Sequence, residues 1–197
     1  MRLCRSVVVI NGFLWAVSIV CQTPYEAQSF PKPVTPPQQR LSAERLADLE
    51  KQMWRLVNQD RLNPATFAET GGQARPLRWN DQLAAVARAH SRKMVEQEYF
   101  SHIDPDGKSP LARINAAGIP WRAYGENIAL HESVEAAQAA FMSEPRFQKN
   151  HRGNILNPIY TEVGIGIAKG PDGSLYITQD FITIPASTQA SGKRLKK

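Results

Sequence analysis

The stretch Val163-Gly-Ile-Gly-Ile-Ala-Lys-Gly-Pro-Asp-Gly-Ser-Leu-Tyr-Ile-Thr-Gln-Asp-Phe-Ile-Thr-Ile184 decides the architecture. Val163 to Ala168 and Leu175 to Ile184 are apolar runs of strand length, and Asp172-Gly173 joins them as a hairpin turn. The segments upstream read as helices. Leu46, Leu49, Met53, Leu56 and Val57 recur at helical spacing in a run from Ser42 to Asn58. Asn80 is a good N-cap, and Leu83, Val86, Ala87, His90 and Met94 then line one face through residue 97. Ser109-Pro110 opens a short helix ended by Gly118. Tyr124 to Leu130 is a short strand-like run, and Ser133 caps a helix through about Met142. Pro64 with Gly71-Gly72 marks a long loop, and a second loop containing Pro145 leads to His151. Helices first, one strand between, then a hairpin: the order predicts an α+β fold, a three-layer α/β/α sandwich around a small antiparallel sheet.

Outward from this domain, set at 41–184, the ends have different compositions. Arg2 and Arg5 precede a mostly apolar run from Val7 to Val20, shorter than the roughly 20 residues that span a bilayer as a helix. A positive start and a short apolar run read as an export leader over 1–21. Ser18-Ile-Val-Cys21 resembles a lipoprotein cleavage box, although Val20 stands where a small residue is expected. The chain is therefore secreted, or tethered to a membrane through its leader. Residues 22–40 hold Pro24, Pro31, Pro33, Pro36 and Pro37 and read as an extended linker. Residues 185–197 form a basic, disordered tail. Both cysteines, Cys4 and Cys21, fall in the leader, so the domain has neither thiol chemistry nor a disulfide. An exported domain without disulfides points to a bacterial source.

The net charge is +6. Setting aside Arg2, Arg5, Lys193, Arg194, Lys196 and Lys197 leaves 18 of the 24 Lys and Arg, against 18 Asp and Glu. The body is neutral, and a nucleic-acid partner is excluded. A monomer is expected.

Four histidines are present. His90 lies on an apolar helix face and reads as a core residue. His131 stands beside Glu132 in solvent. His102 and His151 each follow a structured element in a loop, where sites are usually built. Glu126 lies inside an apolar strand, where a carboxylate is expensive unless paired. Two imidazoles and a carboxylate make a zinc-type ligand set, and a metal-free hydrogen-bonded cluster would satisfy the same groups. The spacings match no compact metal motif. No Gly-x-Ser-x-Gly elbow is present, so a serine triad is poorly supported. Gly164-Ile-Gly166 opens no helix and is not a phosphate loop.

The wording around these residues carries more. Leu56-Val-Asn-Gln-Asp-Arg61, Pro76-Leu-Arg-Trp-Asn80, Tyr99-Phe-Ser-His-Ile-Asp-Pro-Asp-Gly107, Gly125-Glu-Asn-Ile-Ala129, His151-Arg-Gly-Asn-Ile-Leu156 and Gln179-Asp-Phe181 together resemble the bacterial, disulfide-free branch of the CAP superfamily. That superfamily is also called SCP-like, and it includes cysteine-rich secretory, antigen 5 and pathogenesis-related proteins. The resemblance implies a CAP-type sandwich with a central cleft lined by two His and two Glu, which in some members holds zinc or another divalent cation. His102, Glu126 and His151 match three of the four. Glu144 stands three residues after Phe141, where eukaryotic members place their second Glu; it either completes the set or is a loop residue. Asn127 and Asn154 are expected to brace loops rather than bind ligand. The expectation is an extracytoplasmic binding module for a lipid, glycan, cell-wall fragment or peptide. The alternatives are a metal-assisted hydrolase of peptide or wall polymer, with Glu126 or Glu144 as general base, and a structural envelope protein.

Overall fold

A computed structural model describes residues 8–10, 13–15, 37–146 and 148–185, with side chains from Ser42 onward. Cys21, the expected leader apart from 8–10 and 13–15, the linker as far as Pro36 and the tail beyond Pro185 lie outside the described residues. Val8–Ile10 (β1) and Phe13–Trp15 (β2) pair antiparallel in a unit of their own. Among the described residues no helix is long and apolar enough to cross a membrane.

The remaining elements are α1 (Pro37–Leu62), α2 (Pro64–Glu69), β3 (Arg78–Trp79), α3 (Asp81–Glu96), α4 (Pro110–Ala116), β4 (Ala123–His131), α5 (Val134–Ser143), α6 (His151–Leu156), β5 (Glu162–Lys169) and β6 (Leu175–Thr183). The strands stand in the order β3-β5-β6-β4. Both β4·β6 and β5·β6 are antiparallel. Gly173 turns the β5–β6 hairpin at φ +91°.

The strands read as apolar throughout because both faces are covered. Odd-numbered residues, among them Val163, Ile165, Ile177 and Phe181, join Met53 and Val57 of α1, Phe141 of α5 and Ile155 of α6 in the larger core. On the other face Ile182 packs with Leu83 and Val86 of α3 and Ile114 of α4. Each such side chain stabilises the fold by about 1.5–3 kcal/mol on burial. On that second face β5 presents Gly164 and Gly166. A Cβ on Gly166 would lie 2.0 Å from the Arg88 amide nitrogen, and one on Gly164 2.2 Å from that of Ala84. The two glycines are the seat of α3.

Four details differ from the sequence expectation. Helix α1 starts at Pro37, inside the stretch read as linker, with proline in the first turn where its missing N–H costs nothing. The long loop after residue 62 contains α2, because the Asn63 side chain accepts from the Ala65 amide and Pro64 occupies N1. The sheet is not wholly antiparallel: Arg78 and Trp79 add a two-residue strand parallel to β5. His151 begins α6 rather than lying in a loop, since the Asn150 side chain caps the Gly153 amide.

Candidate functional site

Strand β4 is an edge of the four-stranded sheet, and the site straddles it. Its even-numbered side chains face α3 and α4, and its odd-numbered ones face the α1, α5 and α6 layer. Glu126 therefore meets groups from one layer and Asn127 from the other.

On the α4 side, Glu126 Oε1 lies 2.7 Å from His102 Nδ1, and Oε2 accepts from Arg113 Nη2 at 2.5 Å. The Glu126 side chain is 2% exposed and that of His102 is 47% exposed. Arg113 also holds the His102 and Lys108 carbonyls through Nη1 (3.0 and 2.9 Å), which fixes the loop carrying His102. Behind that loop, buried His90 reaches the Ser101 carbonyl at 3.1 Å and the Tyr99 hydroxyl at 3.3 Å. Burial pushes the His90 imidazole below its ordinary value, against the pull of the Glu126 charge.

On the α6 side, Glu144 ends α5 and turns back. Its Oε1 lies 2.6 Å from His151 Nδ1, and its Oε2 accepts from the His151 amide at 2.8 Å and the Arg152 amide at 3.3 Å. Burial alone would raise the Glu144 carboxyl; the hydrogen bonds from the His151 ring and the two amides hold it below the ordinary range. Phe141 packs on the His151 ring at 4.7 Å between centroids. Buried Asn127 joins the halves: its Nδ2 donates to the His151 carbonyl (3.1 Å) and to Gln179 Oε1 (3.0 Å). Asn154 donates to Asn127 Oδ1 at 2.8 Å and to the Glu126 carbonyl at 3.2 Å. Both asparagines brace.

His102, Glu126, Glu144 and His151 thus line one cleft of about 600 Å³, with Asn154 and Tyr160 beside them. Tyr160 donates to the Tyr124 carbonyl at 2.9 Å, and a Cβ on Gly125 would lie 2.5 Å from the Tyr160 hydroxyl, so a side chain there would have to push Tyr160 aside. His131 stays apart, beside Glu132. The carboxylates hold the imidazole Nδ1 atoms rather than standing free beside them. Both oxygens of Glu126 are taken by His102 and Arg113, and both of Glu144 by His151 and two amides. Among the described residues no group of three or more His, Cys, Asp or Glu side chains is placed to hold an ion.

Sequence reasoning passed over Arg113 and Asp180. Arg113 gave no signal, being one cation on a short helix. Asp180 did give one: it is a carboxylate in an apolar strand, the feature that drew attention to Glu126. Asp180 pairs with Glu126 across the β4·β6 ladder and is fully buried.

Residues 54–181 match the model of CAP, the cysteine-rich secretory protein family. The chain is 37% identical over 109 residues to the uncharacterized protein YkwD of Bacillus subtilis, covering 55% of this chain and 40% of that one. It is 33% identical over 108 residues to the uncharacterized membrane protein YlbC of the same organism, covering 54% of this chain and 28% of that one. The chain therefore spans less than half the length of these relatives. An extracellular protein containing an SCP domain from Bacillus anthracis superposes with a TM-score of 0.59 at 27% identity, over 78% of this chain and 45% of that one. An outer surface protein of Borrelia burgdorferi shares the fold at a TM-score of 0.50 and 18% identity, over 74% of this chain and 92% of that one.

Proposed function

We propose, from the premise that this chain belongs to the cysteine-rich secretory protein (CAP) family, that it is an extracytoplasmic binding module whose cleft takes a polar ligand. One observation carries the reading: two His/Glu pairs, one from each helical layer, meet in one cleft across β4. Each imidazole turns Nδ1 to a carboxylate, which leaves Nε2 for a ligand. That atom accepts on the neutral ring and donates on the protonated one. The cleft lies in the range of about 300–1,000 Å³ common for small-molecule sites. Its histidines and amides match the hydroxyl, amide or carboxyl groups of a wall fragment or peptide. Hydrolysis with Glu126 or Glu144 as general base is disfavoured, because each carboxylate is held by a histidine and further donors. The leader expected from the sequence and the extracellular description of the B. anthracis relative support the location.

The test is an NMR titration of the full chain with N-acetylglucosamine oligomers, short peptides and anionic phospholipid vesicles, with product analysis alongside. One probe should move the His102 and His151 ring signals without turnover. Its affinity should fall at least tenfold, about 1.4 kcal/mol, in His102→Ala/His151→Ala. Ring signals indifferent to every probe, or equal affinity in the variant, would overturn the binding reading. Product formation would move it to hydrolysis.

A further inference from the structure

The buried side of the site holds a group that the cleft itself does not use. Asp180 stands opposite Glu126 in the antiparallel ladder, with both side chains on the α3/α4 face. Cross-strand partners of this kind bring their Cβ atoms to about 4.5–5.5 Å. Asp180 is 0% exposed, and neither of its carboxylate oxygens receives a hydrogen bond from any described donor. Glu126 already carries the negative charge that balances Arg113 and receives His102. A second buried carboxylate beside it would have to share that one guanidinium, whose Nε is itself buried without a partner, and would accept from no described donor, an arrangement that costs several kcal/mol. A single hydrogen on Asp180 removes both difficulties, since a carboxylic acid is neutral and can donate.

We propose that Asp180 is a neutral carboxylic acid that donates its hydrogen to Glu126 and thereby positions the carboxylate that orients His102. Glu126 then accepts from three directions: Arg113 on α4, His102 in the loop after α3, and Asp180 on β6. With its carboxylate held in this way, the His102 ring keeps Nδ1 as the protonated nitrogen and Nε2 toward the cleft. The surroundings agree. Burial raises the Asp180 carboxyl well above its ordinary value and the Glu126 charge adds to the rise, while Arg113 opposes it less strongly. The charged and titratable groups that face this pair are Arg113 from α4, His90 from α3, and His102 and Tyr99 from the segment after α3; the β5 partner of Asp180 is Gly164, which carries no charge. Asp180 is a positioning residue and touches no ligand. The proposal rests on this geometry and stands whether or not the cleft binds the probes named above.

The experiment uses the unliganded full chain at pH 7. Infrared difference spectra between wild type and Asp180→Asn should show the carbonyl stretch of a protonated carboxylic acid in wild type and its loss in the variant. Taking the difference removes other buried carboxyls such as Asp60, which is also raised, first by burial. Asparagine keeps the shape and an N–H donor, so the 15N signals of His102 should still report Nδ1 protonated in Asp180→Asn. Asp180→Leu removes the donor, and the His102 ring signals should become averaged between orientations. Should Asp180→Leu fail to fold, the Asp180→Asn pair of readouts decides alone. A wild type without the acid band, a band that survives Asp180→Asn, or a His102 tautomer changed by Asp180→Asn would each overturn the proposal.

Discussion

Gly166→Ala probes the packing on which the whole site depends. The added methyl would sit 2.0 Å from the Arg88 nitrogen and 2.2 Å from the Ala87 carbonyl carbon, both helix backbone, whereas ordinary contact begins at 3.4 Å. Neither neighbour is the flexible end of a side chain, so relief requires α3 to lift off the sheet by about 1.4 Å, the difference between 2.0 and 3.4. A gap of even 0.5–1 Å forfeits roughly a quarter to a half of each dispersion contact. Leu83, Ala87, Ser91 and Met94 would all lose contact, along with the 3.0 Å bond from the Ser91 hydroxyl to the Gly166 carbonyl. Overpacking usually costs about 1–3 kcal/mol, and a backbone clash belongs at the upper end or above. A loss of about 3 kcal/mol lowers Tm by roughly 6–12 °C for a domain of this size. Thermal unfolding by circular dichroism measures it. Gly164→Ala should behave alike, and the double variant should lose clearly less than the sum, because one displacement of α3 relieves both clashes. Because α3 carries His90, which holds the Ser101 carbonyl, the His102 ring signals should shift as well. A Tm within about 2 °C of wild type, or strict additivity, would refute the account of α3 resting on these glycines.

Three further outcomes are expected. Arg61 is fully buried, reaches the carbonyls of Arg75, Ile155 and Asn157 at 2.6, 2.6 and 3.0 Å, and is pushed by burial to about 10. Arg61→Met should cost about 2–4 kcal/mol in urea unfolding by leaving the end of α6 unmet, and a loss under about 0.5 kcal/mol would contradict that role. His90 resists protonation when folded, so the unfolded chain takes up the proton first. Stability should therefore fall as pH drops below about 6.5 and stop falling once the folded value is passed. Urea midpoints between pH 7.5 and 5 should slope more steeply in wild type than in His90→Gln, and equal slopes would remove His90 as the cause. Any zinc taken up in the cleft should rest on the Nε2 atoms of His102 and His151, because the carboxylates are already engaged at Nδ1; calorimetric titration should show no binding in His102→Ala/His151→Ala, and zinc affinity equal to wild type in that variant would refute it.

The layers, the hairpin and the starts of α3, α4 and α5 were legible in the chain because their causes are local: caps at Asn80, Ser109 and Ser133, a turn at Asp172-Gly173, and apolar periodicity. The same holds for His102, Glu126 and His151, which lie in distinctive words. Helix α6 escaped because its cap, Asn150, precedes a six-residue helix too short to show a period. Strand β3 escaped because two residues carry no alternation. The sequence left Glu144 open between two roles, and only the turn that ends α5 sets its carboxylate against the His151 ring. What the sequence by itself determined was the longer elements and three chemical groups, each encoded by neighbours along the chain. What the tertiary structure alone decided was the pairing: Glu126 with Arg113 and Asp180, and Asn127 with Gln179. Those partners lie 13 to 54 residues apart, and they meet only because β4 is an edge strand in register with β6 between two helical layers.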